Sequence, residues 1–243
     1  MPETTERQLF HIRYSPWSQR ARWALDHHRV AYESTLYTPT IDEPRMRIRL
    51  RRPFGRVSVP ILFADGEVID DSWDIARHAE AVGGGEPLFF DLEAARYWNG
   101  MADKALSAGR QRAIATTLRD PEAQRDALHG IFPSALHTAL RPVAVFAAKQ
   151  LARKYPSGPA ADLEDALEKW RDALDGKPFL LDRLSYADIT MAVTLEFVRP
   201  GSQVRRSEIE RRVWTDARLA SRYADLLEWR DRLVADHWPD RVR

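Results

Sequence analysis

None of the 243 positions of this chain is cysteine. That absence removes disulfides, Cys-based metal sites, thiol nucleophiles and Cys-x-x-Cys redox chemistry together. Lysine is nearly missing too: Lys104, Lys149, Lys154, Lys169 and Lys177 are the only ones, so arginine carries the positive charge. With abundant alanine, this bias points to a GC-rich genome rather than to a function. No apolar run approaches the roughly 20 residues that a membrane helix needs. The polar stretch from Met1 to Gln8 has no apolar signal core, so a cytoplasmic protein with no membrane partner is expected. The formal net charge is only +1, which excludes the chain as a whole from polyanion binding. Zinc spacings and glycine-rich phosphate loops are also missing, and no metal is expected.

What is present is a soluble globular composition. Hydrophobic residues make up 44% and charged residues 30%, enough to build a sizeable core at this length. Residues 8–13 read as a strand, 16–28 as a helix and 30–36 as a second strand. An Arg-rich segment, 41–52, is helical at best in part. Residues 57–63 and 67–69 flank Ala64-Asp65-Gly66, a hairpin signal, and 71–81 reads as a helix. Gly83-Gly84-Gly85-Glu86-Pro87 then interrupts every periodicity, and strand signals cease. Helical patterns follow over 92–116, over 121–155 with breaks at Pro133 and Pro142, and over 161–174, 184–197 and 219–235. The order predicts an α/β unit over residues 1–83, a linker over 84–90 and an all-α domain over 91–243.

Four places carry candidate chemistry. Ser15-Pro16 turns a strand into a helix, so Ser15 is either a plain N-cap or a hydroxyl presented to a ligand beside a positive helix end. A thiol, with an unperturbed pKa of about 8.5, is the group that gains most there, at about 1.4 kcal/mol per unit of depression. Val59-Pro60 is either a cis bond offering the Val59 backbone to a peptide-like ligand or a trans proline on an edge strand. Asp70-Asp71-Ser72 caps a helix, and its free N–H groups together with Asp71 would also suit a zwitterionic amino-acid head group. Ser185-Tyr186-Ala187-Asp188 is a capping box that carries folding information only.

In this order and spacing, Ser15-Pro16-x-x-x-Arg20, Val59-Pro60-Ile61-Leu62, Asp71-Ser72 and Ser185-x-Ala187-Asp188 resemble the cytosolic glutathione S-transferase family over nearly the full length. The resemblance implies a thioredoxin-like N-terminal domain, an all-helical C-terminal domain and a serine-type, bacterial-like enzyme. It implies glutathione as co-substrate, and a small hydrophobic electrophile that accepts its thiolate. Ser15 would stabilise the thiolate, Val59 and Pro60 would meet the cysteinyl part, and Asp71 and Ser72 the γ-glutamyl end. Arg45 is the candidate for the glycyl carboxylate. Trp17, Tyr97, Trp98 and Met101 would border the electrophile, and a homodimer is expected. The alternative is a non-catalytic glutathione-binding or protein-interaction member of the same fold.

Two departures from the family pattern stand out: Gly55 to Pro60 is a longer link than usual, and Asp71 replaces the more frequent Glu or Gln. Tyr14 and Ser18 are rivals for the catalytic hydroxyl. The arginines at 45, 47, 49, 51, 52 and 56 lack the aromatic interleaving of a nucleic-acid surface and read as a solvated face. His27-His28 has no partner at ligand spacing and suits a helix C-terminus.

Overall fold

The computed structural model describes residues 7–39, 41–155 and 158–238. The stretch from Met1 to Glu6, most of the region read above for a signal peptide, lies outside the described residues. Strand β1 (Gln8–His11) runs into helix α1 (Pro16–His27), which starts at a proline because the first turn needs no N–H there. Strand β2 (Glu33–Leu36) lies parallel to β1, with Gln8 opposite Glu33. It begins three residues later than the periodicity suggested, because Val30 is spent as a buried plug in the turn. Helix α2 (Glu43–Arg49) covers only the middle of the Arg-rich segment.

Strands β3 (Ile61–Ala64) and β4 (Glu67–Ile69) form an antiparallel hairpin. Its two-residue turn, Asp65 and Gly66, takes left-handed φ values of 53° and 85°, the twist such hairpins need. Helix α3 (Ser72–Val82) closes this part. The sheet order is β2-β1-β3-β4, with β1 parallel to β2 and antiparallel to β3.

Between α3 and the next helix the chain is tightly held. A Cβ on Gly83 would sit 2.4 Å from the His28 carbonyl oxygen, so only glycine fits. Gly84 N–H donates to that carbonyl at 2.9 Å, and Glu80 Oε2 accepts from the N–H groups of Leu88 and Phe89. Helix α4 (Leu92–Arg119) follows, then α5 (Pro121–Asp126), α6 (Arg141–Lys154), α7 (Ala161–Leu174) and α8 (Tyr186–Thr194). Helices α9 (Glu208–Trp214), α10 (Ala217–Arg222) and α11 (Ala224–His237) complete it. The helical stretch expected over 121–155 does break around Pro133, between α5 and α6, whereas Pro142 interrupts nothing and serves in the first turn of α6. The last stretch divides at Tyr223, and α9 was not foreseen.

One hydrophobic cluster runs through both parts, from Leu9, Trp23 and Ile75 to Leu106, Trp170, Ile189 and Leu227. Each fully enclosed ring removes about 150–250 Å² from water, worth about 4–6 kcal/mol before entropy. The Trp23 ring stacks on Trp238 with centroids 5.0 Å apart, tying α1 to the chain's far end. Gly109 lets α4 approach the Phe197 ring, which a Cβ would meet at 2.5 Å.

Candidate functional site at the start of helix α1

Ser15 stands at the N-terminus of α1 with φ −70° and ψ 125°, the extended backbone of a cap residue. Its carbonyl accepts from Gln19 N–H at 2.9 Å, but its side chain makes no cap hydrogen bond. The hydroxyl is therefore uncommitted beside the unpaired N–H groups of a helix end, where a developing anion is stabilised. The rivals are engaged elsewhere. Ser18 is fully buried and its Oγ accepts from Ile12 N–H at 3.2 Å. The Tyr14 ring packs edge-on against Trp214 at 5.7 Å; although the residue is 39% exposed, desolvation of its phenol, with Glu210 nearby, raises it above the ordinary range.

The backbone of this turn is clamped from the helical part. Arg206 Nη2 donates to the Tyr14 carbonyl at 3.1 Å and to Glu196 Oε2 at 2.9 Å. Arg206 and Glu196 are both wholly enclosed. The residue preceding Ser15 is thus fixed by an ion pair some 180 positions further along the sequence.

One turn into α1, Trp17 and Arg20 reach α4. Trp17 Nε1 donates to Asp103 Oδ1 at 3.1 Å, and Arg20 Nη1 donates to the same oxygen at 2.6 Å and to Asn99 Oδ1 at 3.1 Å. Arg20 is completely buried, and its Nε and Nη2 have no partner among the described residues. A guanidinium held this dry is costly without acceptors, so its one acid matters.

Asp71 caps α3 by accepting from Trp73 N–H at 2.7 Å. Desolvation raises its carboxyl although the residue is exposed; the Trp73 N–H opposes, Asp103 and Asp74 push it further up, and Arg20 opposes in turn. Ser72 is buried beside it, and its carbonyl accepts from the Tyr186 hydroxyl of α8 at 3.3 Å. The capping box that opens α8 is complete, with Asp188 accepting from Ser185 N–H and Leu180 N–H. So the folding signal at Ser185 also seats the platform under Ser72. The Val59-Pro60 bond is cis, which settles the alternative that the sequence left open.

The structure links Trp17, Arg20, Asp71 and Asp103 by the contacts and electrostatic couplings named above, and Ser15 joins them through the α1 backbone. Arg45 lies exposed on α2. Tyr97 is exposed, while Trp98 and Met101 pack against the main core. The α4 side chains that face α1 are Asn99, Asp103 and Arg110, two of them four residues apart on one helical face. Sequence reading missed all three, because polar residues at helical spacing look like a solvated face.

Two family models match this chain. One, described as "Glutathione S-transferase, N-terminal domain", covers residues 14–82; the other, "Glutathione S-transferase, C-terminal domain", covers residues 160–232. Among solved structures, a glutathione S-transferase from Methylobacterium radiotolerans JCM 2831 in complex with glutathione sulfonate is similar. Its TM-score is 0.62 at 19% identity, with 97% of this chain and 94% of that chain covered. A glutathione S-transferase from Methylobacillus flagellatus KT with glutathione bound gives 0.61 at 18% identity, covering 96% of each chain. A possible glutathione transferase from Rhodopseudomonas palustris gives 0.56 at 16% identity, covering 96% and 95%. At these identities the likeness is one of fold. No curated protein matches the sequence.

Proposed function

Because the chain belongs to the glutathione S-transferase family, we propose that it transfers the glutathione thiolate to a small electrophile, with Ser15 as the thiolate-stabilising residue. The observation that carries this reading is the Ser15 hydroxyl, which sits at the start of α1 yet caps nothing. Ser15 Oγ–H donates to the bound sulfur, and the α1 N-terminus adds its positive end. Ser15 itself stays neutral. The thiol proton leaves to solvent, the sulfur forms its bond to the electrophilic carbon, and the leaving group departs with its electron pair.

The rest of glutathione is assigned by chemistry. The Val59 backbone pairs with the cysteinyl amide, the Asp71 carboxylate receives the ammonium, and Ser72 with the first N–H groups of α3 receives the γ-glutamyl carboxylate. Arg45 is the cation assigned to the glycyl end. Trp17 borders the electrophile. A cytoplasmic homodimer completes the proposal, checked by sedimentation of the purified protein.

Ser15→Ala tests it. With 1-chloro-2,4-dinitrobenzene, kcat should fall about 100-fold, the scale of losing one donor to a developing anion. The thiol of bound glutathione, followed by its thiolate absorbance, should titrate at higher pH, while glutathione affinity stays close to wild type. Full activity with an unmoved thiol pKa would remove Ser15 from the mechanism. A second reading, non-catalytic glutathione binding, draws on Asp71, whose carboxylate is already occupied by the Trp73 N–H. Retention on immobilised glutathione without turnover would select it.

A further inference from the structure

Two guanidinium groups meet at the Tyr155 ring, one of them also on Trp17 of α1, and among the described residues neither forms an ion pair. The Arg110 guanidinium carbon lies 4.7 Å from the centre of the Trp17 ring and 4.2 Å from that of Tyr155. Arg56, in the loop that leads to Val59, stands over the same Tyr155 at 5.1 Å. Among the described residues neither arginine has an ion pair or a hydrogen bond, and Arg110 Nε is buried without an acceptor. The third cation nearby, Lys154, is neutralised by Glu43 at 3.0 Å.

Position follows from the order of contacts. Asp103 touches Arg20 and Trp17, whereas Arg110, about 10 Å further along α4, touches Trp17. The order of these side-chain contacts puts Arg110 on the side of Trp17 away from Arg20, toward the start of α1 where Ser15 stands. Desolvation lowers Arg110 to about 10; Arg56 repels it, Tyr155 and the more distant Asp103 carboxylate favour its cation, and it stays cationic at neutral pH. A half-desolvated cation with an empty donor binds an anion strongly, because no resident acid must be displaced.

We propose that Arg110, assisted by Arg56, receives a carboxylate carried by the electrophile, so that the preferred substrates of this transferase are electrophilic acids. The proposal rests on the thiolate-transfer reading for its chemistry. With a chloroarene acid, sulfur bonds to the ring carbon, the C–Cl bond breaks, chloride takes the electron pair, and the carboxylate stays on Arg110 unchanged.

The test uses 4-chloro-3,5-dinitrobenzoate and its methyl ester, which differ in the anion. Wild type should favour the acid over the ester in kcat/KM at least tenfold, after correction for their uncatalysed rates with glutathione. Arg110→Met should cut that ratio at least tenfold, Arg110→Lys should restore part of it, and Arg56→Met should lower it less. A parallel arm needs no turnover: calorimetric binding of unreactive 3,5-dinitrobenzoate and its methyl ester, with glutathione present. Acid preference in binding, lost in Arg110→Met, supports the proposal even if Ser15→Ala refutes the catalytic reading. Equal treatment of acid and ester by wild type, or an unchanged ratio in Arg110→Met, overturns it. So does a loss of affinity for glutathione alone as large as the loss for the acid, which would put Arg110 on glutathione's own carboxylate.

Discussion

Replacing Glu196 by glutamine keeps the volume of a wholly enclosed side chain and removes its charge. In the native protein Glu196 Oε2 accepts from Arg206, and Oε1 accepts from Gly201 N–H and Gln203 Nε2, each at 2.8 Å. Arg230, also buried, approaches Oε1 to 3.7 Å. Burial alone would raise this carboxyl, but Arg206 and Arg230 outweigh burial and hold it below the usual range. A glutamine can leave its oxygen toward Gly201, but its NH2 then faces Arg206, donor against donor. Leaving a buried charge without its partner costs about 3–5 kcal/mol. At this chain length the melting temperature should fall by about 6–20 °C. The sign with pH follows from the depressed carboxyl. Wild type holds its full advantage above the ordinary value of 4.5 and loses it as pH falls through the lower folded value. Urea unfolding followed by tryptophan fluorescence should thus show the largest gap near neutrality and a narrowing gap in acid. A gap under about 1 kcal/mol at pH 7, within the usual range of an exposed pair, would refute the reasoning. A gap that widened in acid would refute it equally.

Gly109→Ala should destabilise by about 1–3 kcal/mol despite alanine's better helix propensity, because the new methyl meets the Phe197 ring at 2.5 Å. Calorimetry would detect it, and a melting point at or above wild type would show that Phe197 yields freely. His11 is buried and lowered to about 4 by desolvation, then by Arg22, so it stays neutral in the fold. Its contribution is whole above 6.5 and lost as pH falls toward 4, on the order of 3 kcal/mol. His11→Gln should flatten that part of the stability profile, and an unchanged slope between those pH values would show that other groups set it.

The sequence carried the sheet-bearing part well because its signals are local. Strand, Ser-Pro junction, Asp-Gly hairpin and Asp-Ser cap each act within a few residues, and the Ser185 box closed as its spacing requires. Helix α9 was legible too: Ser207-Glu208-Ile209-Glu210 is a capping box of the same kind, fully formed, and it went unread. The division of residues 121–155 was only half visible, since proline marks where a helix cannot continue but not how far the turn between extends. What sequence could not give is whatever depends on distant partners. Ser15 reads as an N-cap until the structure shows its hydroxyl unused. Asp103 looks like any surface acid on a long helix until two α1 side chains arrive on one of its oxygens. Arg206 and Glu196 are ten residues apart, and only the fold shows that their pair is shut from water and grips the turn before Ser15.

The pinned segment after α3 has a mechanical meaning. A glycine-rich connector suggests a joint about which two bodies swing, yet here Gly84 is stitched to His28 and Leu88 to Glu80. A shared core passes beneath it without a seam. The two parts are thus joined as a block rather than as a pair of jaws. The cross-link between α2 and α6 is of another kind: Glu43 and Lys154 form a partly hydrated pair. Raising the ionic strength weakens that pair and leaves the enclosed Arg206–Glu196 pair nearly untouched, so salt tells the two kinds of cross-link apart.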